Sequence, residues 1–453
     1  VKKTIRVASG QGFWGDLQSA PYDQVTRGPI DYLMMDFLAE LTMSILQKQK
    51  QRNPETGYAR DLVSIIDHIL PVIVEKNIRV VTNGGGVNPT ACRDAIFRAA
   101  EKRGIRGLSI GVVTGDDILG RLDSFPESGI RLDNMETGEP FGAKKHKFLS
   151  ANVYFGARPI VEALEAGAQI VITGRSTDTA LTYAPMIHEF GWSWDDWDRL
   201  AAGVVAGHIL ECGGQATGGN YAFDWKAVPD LAHLGFPIAE AYPNGEIVIT
   251  KHEGTGGLVT VDSISEQLMY EIGDPAVYIT PECIADFTSI HLAQDGKDRV
   301  RISGVRGKPA TKFFKVSMSY ADGYNAVGTL TYAWPDALEK ARKADEILRT
   351  RLADQGLRFD EIRTEFLGYN ACHGPIAQAP GVVNEVVLRV GVRSHDHKAV
   401  EQFGKEIAPL ILTGPPGVTG FAGGRPKPND VIAYWPALLP KEAVKAEVIV
   451  TKH

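Results

Sequence analysis

His208 and Glu211 stand three residues apart in the run Gly203–Asn220. A helix over 199–212 puts both on one face, where a carboxylate tunes an imidazole for proton transfer. The plainer alternative is a satisfied pair inside a helix. Gly213, Gly214 and Gln215, then Thr217, Gly218, Gly219 and Asn220, follow at once. Their amides and side chains are candidates to face a ligand. Lys251 and His252 lead into Glu253, Gly254, Thr255, Gly256 and Gly257, a glycine turn able to form an anion nest beside a lysine charge. A hairpin connection is the alternative there. Arg175, Ser176, Thr177 and Asp178 fall between a strand and a helix, where Arg175 suits a carboxylate or phosphate. An N-cap at Ser176 or Thr177 explains part of that turn without function. Asp36 and Glu40 could hold a divalent cation or act as acid and base, although two solvated carboxylates are the commoner arrangement. His395 and His397 lack a cysteine or carboxylate at a recognised metal spacing, and Cys372–His373 lacks a third orienting group.

The elements that must hold these residues are clearest in Ile78–Asp94. Ile78, Val80 and Val81 predict a strand. Asn88 as N-cap and Pro89 in the first turn predict a helix running on from Ala91 to Lys102. Gly84, Gly85 and Gly86 lie between. A strand, a glycine turn and a helix N-terminus gather free N–H groups and a positive dipole end, so Asn83, Gly84, Gly85, Gly86 and Asn88 are candidate anion-binding residues. A tight turn that brings the helix close to the sheet is the alternative. No Gly-x-Gly-x-x-Gly fingerprint and no phosphate-binding Gly-Lys-Ser/Thr loop occurs, so no nucleotide cofactor is implied.

Short apolar strands alternate with helices through the first half. This predicts a doubly wound, mainly parallel α/β sheet with helices on both faces over residues 1–235, with its ligand site at the carboxyl ends of the strands. A barrel would need eight βα units, and about six are present. After Asp224 strands cluster at 246–250, 258–261, 300–303 and 312–318, with helices at 335–354 and 397–411, which predicts an α+β domain over 236–453. The Gly/Pro-rich run Thr413–Lys427 has the length and composition of a lid.

The chain has 453 residues, enough for two or three domains, and a net charge of −7. No basic field exists to attract nucleic acid or anionic membrane. Four scattered cysteines fit a reducing compartment. Residues 1–7 lead straight into a strand rather than a signal peptide, and no apolar run reaches membrane-spanning length. A soluble cytoplasmic protein is expected.

Several long strings resemble the acyclic terpene utilisation protein A (AtuA) family over nearly the whole chain: Thr82–Pro89, Ala151–Ala157, Ile172–Asp178, Gly207–Asn220, Lys251–Gly257 and Tyr270–Pro275. Gly84 stands where the family more often has alanine. The resemblance implies a place in the degradation of acyclic terpenols such as citronellol and geraniol, whose intermediates are branched acyl-CoA thioesters. It carries over no residue roles. Many members have a ferredoxin-like C-terminal extension, so here a small ferredoxin-like partner subunit is an expected supplier of that module. The expectation is therefore an enzyme of branched-chain or terpenoid acyl-CoA or carboxylic acid catabolism, of lyase or hydratase type and homo-oligomeric. In it His208 moves a proton with Glu211 behind it, and Arg175, Asp178 and Lys251 complete the centre. Asn83, Gly84–Gly86, Asn88, Gly218, Gly219, Asn220, His252, Thr255, Gly256 and Gly257 bind the substrate's anionic groups. The alternative is a non-catalytic ligand-binding or scaffold subunit of a heteromeric complex. A third reading makes Asp36, Glu40 and a histidine a metal centre.

Overall fold

A computed structural model describes residues 2–144, 148–378, 381–421 and 423–453. In chain order come β1 (Ile5–Gln11), α1 (Ala20–Arg27), β2 (Tyr32–Met35), α2 (Thr42–Arg52), α3 (Arg60–Glu75), β3 (Arg79–Thr82) and α4 (Pro89–Lys102). Next are β4 (Ser109–Thr114), α5 (Ser124–Glu127), β5 (Phe148–Val153), α6 (Arg158–Glu165), β6 (Ile170–Thr173), α7 (Ala180–Phe190) and α8 (Trp197–Leu210). Then follow β7 (Ile238–Ala241), β8 (Ile247–Thr250), α9 (Val261–Met269), β9 (Tyr278–Ile279), β10 (Cys283–Asp286), β11 (His291–Gln294), β12 (Val300–Ser303) and β13 (Arg306–Pro309). The last are β14 (Phe313–Ala333), α10 (Ala337–Asp354), β15 (Glu361–Leu367), β16 (Glu385–Ser394), α11 (His397–Ile407), α12 (Leu410–Thr413), β17 (Val418–Gly420), β18 (Asn429–Pro440) and β19 (Glu447–Lys452). They form two compact units, a larger one of residues 1–319 with 434–453 and a smaller one of residues 320–433.

The larger unit is built on a ten-stranded mixed sheet of order β11-β12-β8-β7-β1-β2-β3-β6-β4-β19. Its centre, β1-β2-β3-β6-β4, is parallel. Apolar strands buried on both faces divide by alternation. Tyr32, Met34 and Val171 join one core with α6, α7 and α8, while Leu33, Met35, Ile170 and Ile172 join another with α1 to α4. β7, β8, β11 and β12 extend one edge antiparallel, and β19 closes the other edge on β4. The change of texture after Asp224 therefore marks a change of strand direction within one sheet, which runs on both sides of residue 235. A separate antiparallel sheet has the order β13-β10-β9.

α8 is buried at every position from Leu200 to Leu210, as a helix apolar all round must be. Glycines let it approach α7: a Cβ on Gly207 would lie 2.6 Å from the Thr179 Cα, and one on Gly203 would meet Tyr183. That closeness brings the end of α8 to the loop before α7.

In the smaller unit the order β14-α10-β15-β16-α11-β17 folds into an antiparallel sheet β15-β16-β14-β17, the arrangement of split βαββαβ folds. Ala326, Leu330, Leu388 and Val390 pack on Ala341, Leu348, Val400 and Phe403 of its two helices. Within the Thr413–Lys427 run, Val418–Gly420 pairs with β14, and Ala422 lies outside the described residues.

Candidate active site

In the larger unit the carboxyl ends of β1, β2 and β6 and the end of α8 come together. A Cβ on Gly12, just past β1, would touch the backbone of Glu211, Cys212 and Gly213. Asp36, just past β2, is buried and accepts from Asn83 Nδ2 at 2.7 Å, while Asn83 Oδ1 accepts from the Phe37 amide at 2.8 Å. Arg175, past β6, is 2% exposed and donates from Nη1 to Asp178 Oδ1 at 2.8 Å and to the Leu38 carbonyl at 3.1 Å. Its guanidinium also lies 4.3 Å from the Tyr154 ring centroid. The Asp36 and Asp178 carboxyls are close enough to interact, and two like charges side by side favour keeping a proton on one of them. Burial raises the Asp36 carboxyl well above the carboxylate range and the Asp178 charge adds to this, while Arg175 and Asn83 pull it back. Burial raises Asp178 too, against the pull of Arg175. The Asp178 side chain keeps 33% of its surface open, against 1% for Arg175. It is the solvent-facing member of the cluster.

His208 and Glu211 lie alongside, Nδ1 to Oε1 at 2.9 Å. The His208 Nε2 faces the Gln267 carbonyl at 3.1 Å, and the ring stands edge-on to Tyr278 and Phe287. Burial alone would lower the imidazole, but the Glu211 hydrogen bond and charge outweigh it and the net shift is upward. Burial raises Glu211, and the Asp178 charge contributes. The two pairs thus sense one another.

Four residues of this neighbourhood were not singled out for a role by sequence reasoning. Tyr154 donates to Glu40 Oε1 at 3.2 Å. Burial works to raise Glu40, but its own amide, Arg175 and Lys315 bring it below the usual value. The Lys315 ammonium stands 5.2 Å from the Tyr154 ring and 5.7 Å from the Tyr434 ring. Lys315 and Tyr434 sit on β14 and β18, in the parts of those strands that belong to the larger unit. Asp116, past β4, accepts on Oδ2 from the Arg175 amide at 2.8 Å and from Asn152 Nδ2 at 2.9 Å. A Cβ on Gly174 would strike Asp116, so glycine there makes room for the carboxyl that holds the Arg175 loop.

Burial pushes Asp116 up to about 7. The folded state then binds more protons than the unfolded chain between about pH 4 and 7, so stability falls as pH rises through that window. Both donors use a single oxygen, which an asparagine Oδ1 can replace. Asp116→Asn is therefore expected to flatten this part of the stability–pH curve and to raise stability above pH 7, measured by urea unfolding across pH.

The glycine stretches are spent largely on their own packing. A Cβ on Gly85 would fall 2.6 Å from both Pro89 Cβ and the Thr173 carbonyl oxygen, and Gly86 has φ +55° with Leu46 against it. The Gly84 amide donates to Thr82 Oγ1 and the Gly86 amide to the Asn83 carbonyl. Asn88 caps α4 and donates to the carbonyls of Pro54 and Thr56. Gly218 and Asn220 have positive φ, the Gly219 amide donates to the Gly214 carbonyl, and Asn220 is exposed. Lys251, His252, Thr255, Gly256 and Gly257 line a cavity of about 980 Å³ whose lining contains none of Asp36, Arg175, Asp178, His208 or Glu211. Lys251 donates to the Thr255 carbonyl at 2.8 Å and stands 3.4 Å from Asp298. The amides of Gly256 and Gly257 go to the carbonyls of His233 and Pro229, and His252 Nε2 faces the Gln24 carbonyl at 2.9 Å. The structure thus gathers Arg175, Asp178, His208 and Glu211 and puts Lys251 and His252 at another cavity.

Among the described residues no group of three or more His, Cys, Asp or Glu is arranged to hold a metal. Asp36 turns to Asp178 and Asn83, and Glu40 to Tyr154. In the smaller unit His395 pairs with Asp360 at 3.0 Å and His397 packs its ring on Tyr324. No described helix is long and apolar enough to cross a membrane.

The family model described as acyclic terpene utilisation family protein AtuA matches residues 5–450. No curated protein and no solved structure matches the chain significantly.

Proposed function

The chain belongs to the acyclic terpene utilisation AtuA family, and on that premise we propose that it is an enzyme of branched-chain or terpenoid acyl-CoA or carboxylic acid catabolism. The chemistry is acid/base, of the lyase or hydratase type. One observation supports this above the rest: the Asp36–Asp178 pair, both carboxyls raised by burial beside Arg175, adjoins the His208–Glu211 pair. Paired titratable groups whose surroundings shift them toward neutrality are the usual equipment for moving protons at carbon. In this reading the parallel strands form a doubly wound core with the site at their carboxyl ends. The His208–Glu211 pair acts as one proton-moving unit, His208 with Glu211 beside it, for the proton on the carbon next to the acyl carbonyl. Arg175 and the proton held by Asp178 stabilise the oxyanion that develops. The Lys251–Gly257 cavity receives the remote anionic groups of the ligand, and the protein works as a homo-oligomer, with or without a small ferredoxin-like partner.

In D2O, the protein with 3-methylbutanoyl-CoA is expected to place deuterium on the carbon beside the carbonyl, read by mass spectrometry. Absence of exchange and of binding with every branched thioester or free acid at millimolar concentration refutes the enzyme reading. A non-catalytic scaffold subunit would then be the better account.

A further inference from the structure

The cavity of about 980 Å³ beside the turn after β8 is walled by cations from four separate segments. Arg6 comes from β1, Arg27 from the end of α1, Lys251 from the turn itself, and Lys297 and Arg299 from the approach to β12. Carboxylates share the wall, but most of them are already engaged. Asp230 pairs with His233 at 2.9 Å, Glu240 holds Arg299 at 2.6 Å, and Asp298 accepts from the Val259 amide at 3.0 Å. Glu253 is exposed.

Two of the cations are left short of acceptors. The Lys251 side chain is 4% exposed, yet its carboxylate partner Asp298 stands 3.4 Å away. Its short bond, 2.8 Å, goes to the neutral Thr255 carbonyl. Among the described residues Arg6 Nε is buried with no hydrogen-bond partner, and Glu240 Oε1 lies 3.7 Å from it. Burying a cation is costly unless an anion and hydrogen bonds offset the lost hydration. Both residues line the same cavity, which has room for an acceptor-rich group. The donors approach it from different walls. A carboxylate offers two oxygens in one plane, whereas a phosphate offers three acceptor oxygens and about two charges. We infer that this cavity is a phosphate site, and that the ligand it takes carries a phosphate or diphosphate group. This deepens the reading above, resting on its assignment of the cavity to the ligand's remote anionic groups, and names those groups.

The test is calorimetric titration of the full chain with inorganic pyrophosphate and with acetate. Pyrophosphate is expected to bind roughly tenfold or more tightly than acetate. Lys251→Met and Arg6→Met are each expected to weaken pyrophosphate by roughly tenfold or more. Arg6→Met leaves Glu240 paired with Arg299, so it strands no carboxylate. Lys343→Met, at an exposed cation of the smaller unit, should leave the affinity as it is. No binding of pyrophosphate to the parent overturns the inference, and so does equal affinity in the parent and all three variants. Coenzyme A separates two sources of the phosphate. Displacement of pyrophosphate by it assigns the site to a thioester's own phosphates, and failure to displace assigns it to a separate phosphorylated ligand. If pyrophosphate does not bind while 3-methylbutanoyl-CoA exchanges deuterium, the phosphate site is wrong and the acid/base reading stands. If pyrophosphate binds as stated and no thioester or acid exchanges, the acid/base reading falls and the phosphate site remains.

Discussion

Arg175→Met is expected to lose about 3–5 kcal/mol of stability at pH 8, the usual result of stripping one partner from a buried ion pair. Methionine fills most of the volume, so the loss is electrostatic. Asp36 and the inner part of Asp178 are left without the guanidinium that offsets their burial. Their carboxyls then hold protons to still higher pH. Since the folded state binds the extra protons, the penalty grows with pH above the ordinary carboxylate range and is smallest near pH 4 to 5. Urea unfolding at pH 5 and pH 8 measures both parts. Adding Asp36→Asn to Arg175→Met should recover a good part of the loss at pH 8. An equal loss at both pH values, with no recovery in the double variant, would mean that Arg175 only fills space.

His208→Gln is expected to slow deuterium exchange into a bound acid or thioester by roughly 10²–10⁴-fold, the span typical of a positioned acid or base. Glutamine keeps a donor toward the Gln267 carbonyl, so the fold should survive. The pH dependence provides a second readout. The folded-state imidazole is raised above its ordinary 6.5. Its contribution to stability is thus complete below pH 6.5 and is withdrawn as pH climbs through the raised value. The variant should lose that segment of the stability curve while keeping the segment owed to Asp116. If exchange is unaffected, His208 is a structural histidine held by Glu211.

Much of this geometry follows from local rules. Ile78–Val81 reads as a strand and Asn88–Pro89 as a helix start, and the structure has β3 at Arg79–Thr82 and α4 from Pro89. The contact of His208 with Glu211 follows from helical spacing. The Arg175–Asp178 ion pair follows from a turn at a strand end. What no local pattern gives is the company these residues keep. Asp36 reaches Asp178 because β2 and β6 flank β3 in the sheet. Lys315 and Tyr434 lie far apart in sequence, on strands that pair with one another. Sequence position carries no trace of either meeting.

The glycine runs are ambiguous in sequence for a physical reason. A missing Cβ serves ligand approach and close packing equally well, and only the neighbours decide between them. At Gly85 the neighbours are Pro89 and Thr173, and at Gly207 the Thr179 backbone. Likewise the strand clusters after Asp224 read as a separate α+β domain, because antiparallel strands added to a parallel sheet look locally like any other antiparallel strands. The ten-strand order is set by pairings distant in sequence, such as Ile5 with Ala241 and Val450 with Gly111.

The claim on which the account turns is that Asp36 and Asp178 keep a proton between them above the ordinary carboxylate range. Infrared difference spectra of the parent against Asp36→Asn at pH 7 test it directly, because a protonated carboxylic acid has a carbonyl band that ionised carboxylates lack. The account predicts a protonated-acid band in the parent that is absent from the variant. Spectra showing both carboxyls fully ionised at pH 7 would contradict it.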